Sequence, residues 1–286
     1  MKLLSGRSVS QGIFDKLLKN IKKFDESPKL LSIIIGDNPV AVSYANAKGR
    51  KAGALGTDFE ILDMPGNIEQ EKAEKDISQF IKSRDPDGVI IERPLPKGLD
   101  YAKLAKLIPQ YADVDCQRMD SLGRLLTGNP TYIPATPGAV IEILKHYEIP
   151  VAGNNIVIIG RSLSVGLPLS IMLSCRNGGG NATVTLCHSK TRDITSHTKR
   201  ADILIVAAGK PKFITKDMVA KNSIIIDVGA TYEGGKLLGD VDFDSVSENV
   251  SAITPVPGGV GPVTTAYLFQ NLANSCIKRK YSKIKE

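Results

Sequence analysis

The feature that most constrains this chain is a rhythm: short runs rich in β-branched residues alternate with stretches of helical periodicity from one end to the other. That alternation marks parallel strands joined by crossover helices. In the first half, Val9, Ile13, Leu17 and Ile21 recur at helical spacing, 30–35 is a buried strand, and 41–55 follows as a helix. A strand over 59–62, a helix over 68–81 and a strand over 88–92 complete a first α/β unit. The second half repeats the logic with strands over 155–159, 182–186, 201–206 and 223–227, a Rossmann-like arrangement. Between them, 113–137 is rich in turn residues and delivers Pro137 to the first turn of an amphipathic helix over 138–147. The expectation is an α/β protein of two domains, 1–116 with 265–286 and 117–264. A last apolar helix over 264–277 returns to pack on the first unit.

Composition removes several function classes. No apolar run approaches the roughly 20 residues that cross a bilayer, and the amino terminus turns polar too early for a secretory segment, so a cytoplasmic protein is expected. Cys116, Cys175, Cys187 and Cys276 show no C-x-x-C spacing, and His146, His188 and His197 form no ligand array, so neither a disulfide framework nor a metal site is signalled. The net charge of +7 could suggest nucleic acid. Much of the excess lies in Lys278, Arg279, Lys280, Lys283 and Lys285, set against Glu286 alone. That run is expected to be a solvated terminus, and aromatics at 5% supply no base-stacking platform.

After the strand at 155–159 comes Gly160-Arg161-Ser162-Leu163-Ser164-Val165-Gly166-Leu167-Pro168. A strand-to-helix turn of this kind aims backbone N–H groups and a helix dipole at a phosphate. It departs from G-x-G-x-x-G, because Ser162 holds the middle position and Gly166 falls one residue late. The end of the next strand bears on which dinucleotide fits. An NAD site commonly places a carboxylate there for the ribose, whereas this chain has His188-Ser189-Lys190-Thr191. Hydroxyls and cations here, with Arg161 in the turn, suit the extra phosphate of NADP.

On the helix after Gly36-Asp37-Asn38-Pro39, Tyr44 and Lys48 stand one turn apart on one face. There an aromatic ring can stack on a flat heterocycle while the lysine reaches its reacting edge. By spacing alone, Lys48, Arg50 and Lys51 equally describe a solvated basic face. The strand ending in Glu92-Arg93-Pro94-Leu95-Pro96, the segment Asp113-Val114-Asp115, and the loop Pro255-Val256-Pro257-Gly258-Gly259-Val260-Gly261-Pro262 supply carboxylates and close-approach backbone at strand ends, where ligands bind in open α/β sheets.

Taken with Ile226-Asp227-Val228-Gly229 and Thr264, these motifs stand in the order and approximate spacing of the bifunctional methylenetetrahydrofolate dehydrogenase/methenyltetrahydrofolate cyclohydrolase family, which the chain resembles over essentially its whole length. The resemblance implies that Lys48 is the catalytic lysine, that Tyr44 stacks near the aminobenzoyl part of folate, and that Asp115 hydrogen-bonds the pterin. It implies that Gly160, Arg161, Ser162, Val165, Gly166, His188 and Ser189 lie at NADP. Pro94, Leu95, Pro96, Gly258, Gly259, Pro262 and Thr264 would line the folate site in a cleft between the domains. Tetrahydrofolate derivatives as substrates and a homodimer are implied as well.

Four positions depart from the family pattern. Glu92, followed by Arg93, stands where the family has glutamine before Leu-Pro-Leu-Pro. Cys116 replaces a glycine, Ala135 a cysteine and Val263 a methionine. Of these, Glu92 bears on the chemistry. A carboxylate beside Lys48 favours the ammonium form and makes a poorer base for activating water, while stabilising the cation formed in the dehydrogenase step. A dehydrogenase with weakened cyclohydrolase is therefore one alternative, unless Glu92 itself serves as the base. A non-catalytic NADP- or folate-binding regulator on the same fold is the other. Strand alternation should send Arg93 to the face opposite Glu92.

Overall fold

The computed structural model describes residues 1–176 and 179–281. The chain forms two compact units. One comprises Gly12–Arg124, Pro130–Ile133 and Leu268 onward; the other comprises Met1–Gln11, Leu125–Asn129 and Pro134–Tyr267. Among the described residues, no helix is long and apolar enough to cross a membrane.

The first unit is built on a three-stranded parallel sheet in the order Asp58–Met64, Lys29–Ile35, Gly88–Ile91. After Lys29 the central strand is buried throughout, and it is apolar except for one hydroxyl, Ser32. Alternation sorts the two faces. Leu31, Ile33, Ile35, Val89 and Ile91 form a core with Ala73, Ile77 and Ile81 of the helix Gln70–Arg84 and with Leu104 of the helix Tyr101–Lys106. Ser32, Ile90 and Glu92 alternate to the other face.

The helix Pro39–Leu55 contacts both Lys29–Ile35 and Asp58–Met64. Its ends follow ordinary capping chemistry. Asn38 Oδ1 accepts from the N–H of Val40 at 3.0 Å and of Ala41 at 3.3 Å, Pro39 occupies the first turn, and Gly56 stops the helix with φ of 67°. Ala41, Ala45 and Ala52 are buried, and a Cβ on Gly49 would meet the Phe59 ring at 3.1 Å. These small residues let the helix lie close on the sheet.

The second unit carries a six-stranded parallel sheet in the order Lys2–Leu3, Ala252–Ile253, Ile224–Asp227, Ile203–Val206, Asn155–Ile159, Thr183–Cys187. The strand Asn155–Ile159 has its sequence successor on one side and Ile203–Val206 on the other, so the order reverses beside it. This is the switch point where α/β sheets take ligands. Val157, Ile159, Leu204, Val206 and Ile225 lead the core, packed against Val246 and Val250. The edge strand Lys2–Leu3 is too short to leave a periodic signature in the sequence. Thr231–Glu233 and Lys236–Leu238 form a separate antiparallel ribbon.

The last helix, Val260–Cys276, runs into a π-turn at Ile277–Tyr281, and the chain from Leu268 onward belongs with the three-stranded unit. The basic run here is not the solvated terminus expected of it. Arg279 bonds Asp85 and meets Asp87 at 3.1 Å, while Lys280 meets Asp87 at 3.3 Å and Glu26 at 3.0 Å. Asp87 is fully buried, and a carboxylate there requires cationic partners. Lys283, Lys285 and Glu286 lie outside the described residues.

Candidate active site

The three-stranded unit delivers Lys48 and Glu92 to one point. Glu92 directly follows the strand Gly88–Ile91, and its N–H extends the ladder to the carbonyl of Ile33 at 2.9 Å. Lys48 Nζ donates to Glu92 Oε1 at 2.6 Å and to Oε2 at 2.7 Å, with side-chain exposures of only 12% and 6%. This is an ion pair in a largely desolvated place, where charge interactions exceed their worth in water. Ser32 Oγ donates to Glu92 Oε1 at 2.5 Å. Tyr44, one turn before Lys48, keeps more than a third of its surface exposed.

Arg93 goes to the other side, its guanidinium 4.8 Å from the ring centroid of Tyr101, which packs against the core of the opposite sheet face. Pro94, Leu95 and Pro96 follow, with a cis bond at Arg93–Pro94. Gln117 ties the segment carrying Asp115 to the same strand end. Its Oε1 accepts from Ile91 N at 2.8 Å, and its Nε2 donates to Ile91 O at 2.9 Å, so a side-chain amide acts as one more strand residue. Asp113 is structural: its carboxylate accepts from the N–H of Gln117 and Arg118, and burial pushes its pKa up. Asp115 is half-buried between them.

Cys116 explains its own departure. Its φ is 51°, the left-handed region that favours glycine. The side chain is accommodated because it is buried and its Sγ–H donates to Tyr132 O at 2.9 Å. Burial pushes the thiol pKa up, so it is no nucleophile.

In the six-stranded unit, Gly160 leaves the strand Asn155–Ile159 with φ of 116°, and a Cβ there would strike Ala207 O at 2.1 Å. A Cβ on Gly166 would strike Gly160 O at 1.8 Å. Both glycines are therefore required by close approach. Ser162 folds the turn between them, its Oγ accepting from Val165 N at 3.2 Å and its carbonyl from Leu167 N at 3.1 Å. The helix Gly166–Ser174 begins after Val165 with no side-chain cap; Leu167 N is taken by Ser162 O and Pro168 has no N–H, which leaves the N–H of Gly166 to a phosphate. Arg161, Ser162 and Ser189 are exposed. His188 N donates to Thr191 Oγ1 at 2.9 Å and His188 Nδ1 accepts from Lys190 N at 3.1 Å, which shapes the turn after Thr183–Cys187. That strand pairs with Asn155–Ile159 in parallel register, so both turns lie on one edge of the sheet.

The loop before Val260–Cys276 has a cis bond at Val256–Pro257, φ of 103° at Gly258, and Gly259 folded back on Pro255. Gly6 N donates to Gly258 O at 2.8 Å. Pro262 and Thr264 fall in the first turns of the helix, and Val263 is fully buried beside them. Gly258, Gly259, Pro262 and Thr264 thus belong to the six-stranded unit, whereas Tyr44, Lys48, Glu92, Pro94, Leu95, Pro96 and Asp115 belong to the three-stranded one. Ser32 is the residue at the site that periodicity did not single out. Its signal is a lone hydroxyl in an apolar strand.

A parallel six-stranded sheet with a glycine cradle at its switch point, together with a second α/β unit holding a desolvated lysine–carboxylate pair, defines a dinucleotide-dependent enzyme class. Residues 4–115 match the model for the catalytic domain of tetrahydrofolate dehydrogenase/cyclohydrolase, and residues 134–280 match that for its NAD(P)-binding domain. A relative from a Nitratiruptor species, bifunctional protein FolD, is 41% identical over 99% of this chain and 100% of its own length. The bifunctional enzyme FolD of Campylobacter jejuni superposes with a TM-score of 0.90 at 36% identity, covering 98% of this chain and 99% of that one. The Trypanosoma brucei enzyme, solved with NADP and an inhibitor, gives 0.90 at 29% identity and 98% coverage of both chains. The chain belongs to the tetrahydrofolate dehydrogenase/cyclohydrolase family.

Proposed function

We propose that this protein oxidises 5,10-methylenetetrahydrofolate to 5,10-methenyltetrahydrofolate with NADP and hydrolyses that product to 10-formyltetrahydrofolate. The observation that carries the reading is the desolvated Lys48–Glu92 pair at a strand end, one helical turn from the Tyr44 ring. Tyr44 stacks on the aminobenzoyl part of the substrate and Asp115 bonds the pterin. Pro94, Leu95 and Pro96 are assigned to substrate binding in the three-stranded unit, and Gly258, Gly259, Pro262 and Thr264 in the six-stranded one. The glycine cradle, which a Cβ would fill, and the uncapped N-terminus of Gly166–Ser174 fit a dinucleotide diphosphate. Arg161, Ser162, His188 and Ser189 suit the additional phosphate. NADP, when bound, accepts the hydride leaving the methylene carbon.

As positive charge develops on the folate, the Glu92 carboxylate offsets it. Hydrolysis asks for a base to take a proton from water. Lys48 Nζ is already engaged by both oxygens of Glu92 and must leave them to act on a water. This favours a second reading within the same activity, in which hydrolysis is the weaker half. Folate chemistry falls to the three-stranded unit and cofactor binding to the six-stranded one, in a cytoplasmic protein that pairs with a second copy.

The test follows methenyl formation by absorbance with NADP, then decay of methenyltetrahydrofolate without it. Both signals are expected, the second slower. If no methenyl product forms while NADP still raises the melting temperature, the protein is a binding module and the reading fails.

A further inference from the structure

We propose that Ser32 is a positioning residue for the reaction, fixing the Glu92 carboxylate against Lys48 and thereby setting the balance between oxidation and hydrolysis. The inference rests on the activity proposed above and adds a residue to it.

Ser32 lies in the middle of the central strand, fully buried, among residues that are otherwise aliphatic. A hydroxyl there is unfavourable unless it is bonded. Its register partner in the neighbouring strand is Ile90, and Glu92 lies two residues further along that strand on the same face. Ser32 Oγ therefore reaches Glu92 Oε1, at 2.5 Å, and that same oxygen accepts from Lys48 Nζ at 2.6 Å.

The last torsion of a glutamate side chain is soft, so a carboxylate held by a flexible lysine alone would swing. Ser32 approaches from the rigid sheet and Lys48 from the helix, and between them they fix the carboxylate plane. Ser32 thus acts on the substrate only through Glu92 and Lys48.

The experiment compares wild type with Ser32→Ala, Ser32→Thr and Ser32→Cys in both half-reactions, with melting temperatures alongside. In Ser32→Ala kcat for methenyl formation should fall severalfold, as the carboxylate loses its fixed plane. The ratio of hydrolysis to oxidation should rise severalfold, with KM for NADP unchanged. Ser32→Thr, which keeps the hydroxyl, should restore the wild-type kcat and ratio. Ser32→Cys, close in volume and a weak donor, should shift like Ala and serves if Ala fails to fold. With Glu92→Gln in the background, Ala at position 32 should no longer change the ratio, because the carboxylate that Ser32 positions is gone. A Ser32→Ala or Ser32→Cys enzyme that melts lower yet keeps the wild-type kcat and ratio overturns the inference and leaves the activity standing. A wild-type protein that makes no methenyl product overturns both.

Discussion

Each unit ends a strand on a buried carboxylate, and the two carboxylates are used differently. Glu92, after Gly88–Ile91, faces a lysine and a serine side chain. Asp227, the last residue of Ile224–Asp227, faces backbone. Its Oδ1 accepts from Gly229 N at 2.9 Å and Asp240 N at 3.1 Å, and its Oδ2 from Val241 N at 3.0 Å. Asp240 continues the chain of contacts, its Oδ2 accepting from Ala208 N at 2.6 Å and Gly209 N at 2.8 Å. Ala207, just before, is the residue against which Gly160 is pressed. In the six-stranded unit the carboxylates act as struts beneath the cofactor turn. In the three-stranded unit the carboxylate delivers its charge to a side chain that can do chemistry. Burial alone does not separate the two carboxylates; the donors do, side chains for Glu92 and backbone for Asp227, and the catalytic role proposed for Glu92 rests on that difference.

Lys48→Met tests that distinction most severely. It should lower hydrolysis by about 10²–10⁴-fold, the usual worth of a positioned proton-transfer group. It should also destabilise the fold by about 3–5 kcal/mol, because Glu92 is left buried and unpaired. Adding Glu92→Gln should recover the melting temperature without recovering activity. A Lys48→Met protein with wild-type turnover would remove Glu92 and Lys48 from the reaction and make them a second strut.

For Asp227 the effect should appear in stability against pH. Burial pushes it up to about 7, in spite of three backbone donors that pull it down and with the Asp240 charge adding to the rise. The folded chain therefore binds this proton more tightly than the unfolded chain. Its contribution is fully present below the ordinary carboxylate range and is lost as pH rises through about 7. Asp113 and Asp240 are pushed in the same direction by burial. Melting temperature should fall as pH rises from about 4 to about 7 and level off above that, and Asp227→Asn, though less stable at low pH by roughly 2 kcal/mol for its disturbed N–H partners, should flatten that fall. An unchanged slope in the variant would show that Asp227 is not the group responsible.

Glu92→Gln should have a smaller effect of the opposite sense. With the carboxylate gone, Lys48 Nζ loses both ion-pair contacts and is freed to act on water. Hydrolysis should rise relative to oxidation by about tenfold, or about 1.4 kcal/mol. An unchanged ratio would mean that Glu92 already serves as the base.

How much of this could be seen in the sequence depended on how local the cause was. Helix 41–55 and the strands at 30–35 and 155–159 were legible because their periodicity is carried by residues a few positions apart, and Asn38-Pro39 and Gly56 mark the ends of the helix. The pairing of Arg279 with Asp85 and Asp87 was not, since residues nearly two hundred positions apart leave no local trace. Ser32 fell between these cases. The hydroxyl is visible in an apolar strand, but what it bonds depends on the register between two strands. Glu92 stood out as a departure from a family pattern, and only the geometry showed that its charge goes to Lys48.

The smallest effect concerns two loop positions with positive φ. At Gly160 a Cβ would collide with backbone, so both shape and φ demand glycine. At Cys116 the φ of 51° is the demand, while the buried Sγ has a place and an acceptor. Replacing Cys116 by Ala removes the thiol and keeps the backbone penalty; replacing it by Gly removes both. Cys116→Gly should therefore be more stable than Cys116→Ala by about 1 kcal/mol, the cost of a left-handed L-residue, as read by denaturant midpoints at equal slope. Gly160→Ala should instead raise KM for NADP, because Ala207 or the turn must move. If Cys116→Ala proved the more stable of the pair, the left-handed backbone at Cys116 would carry no strain, and the glycine that relatives place there would have to be explained by what approaches it.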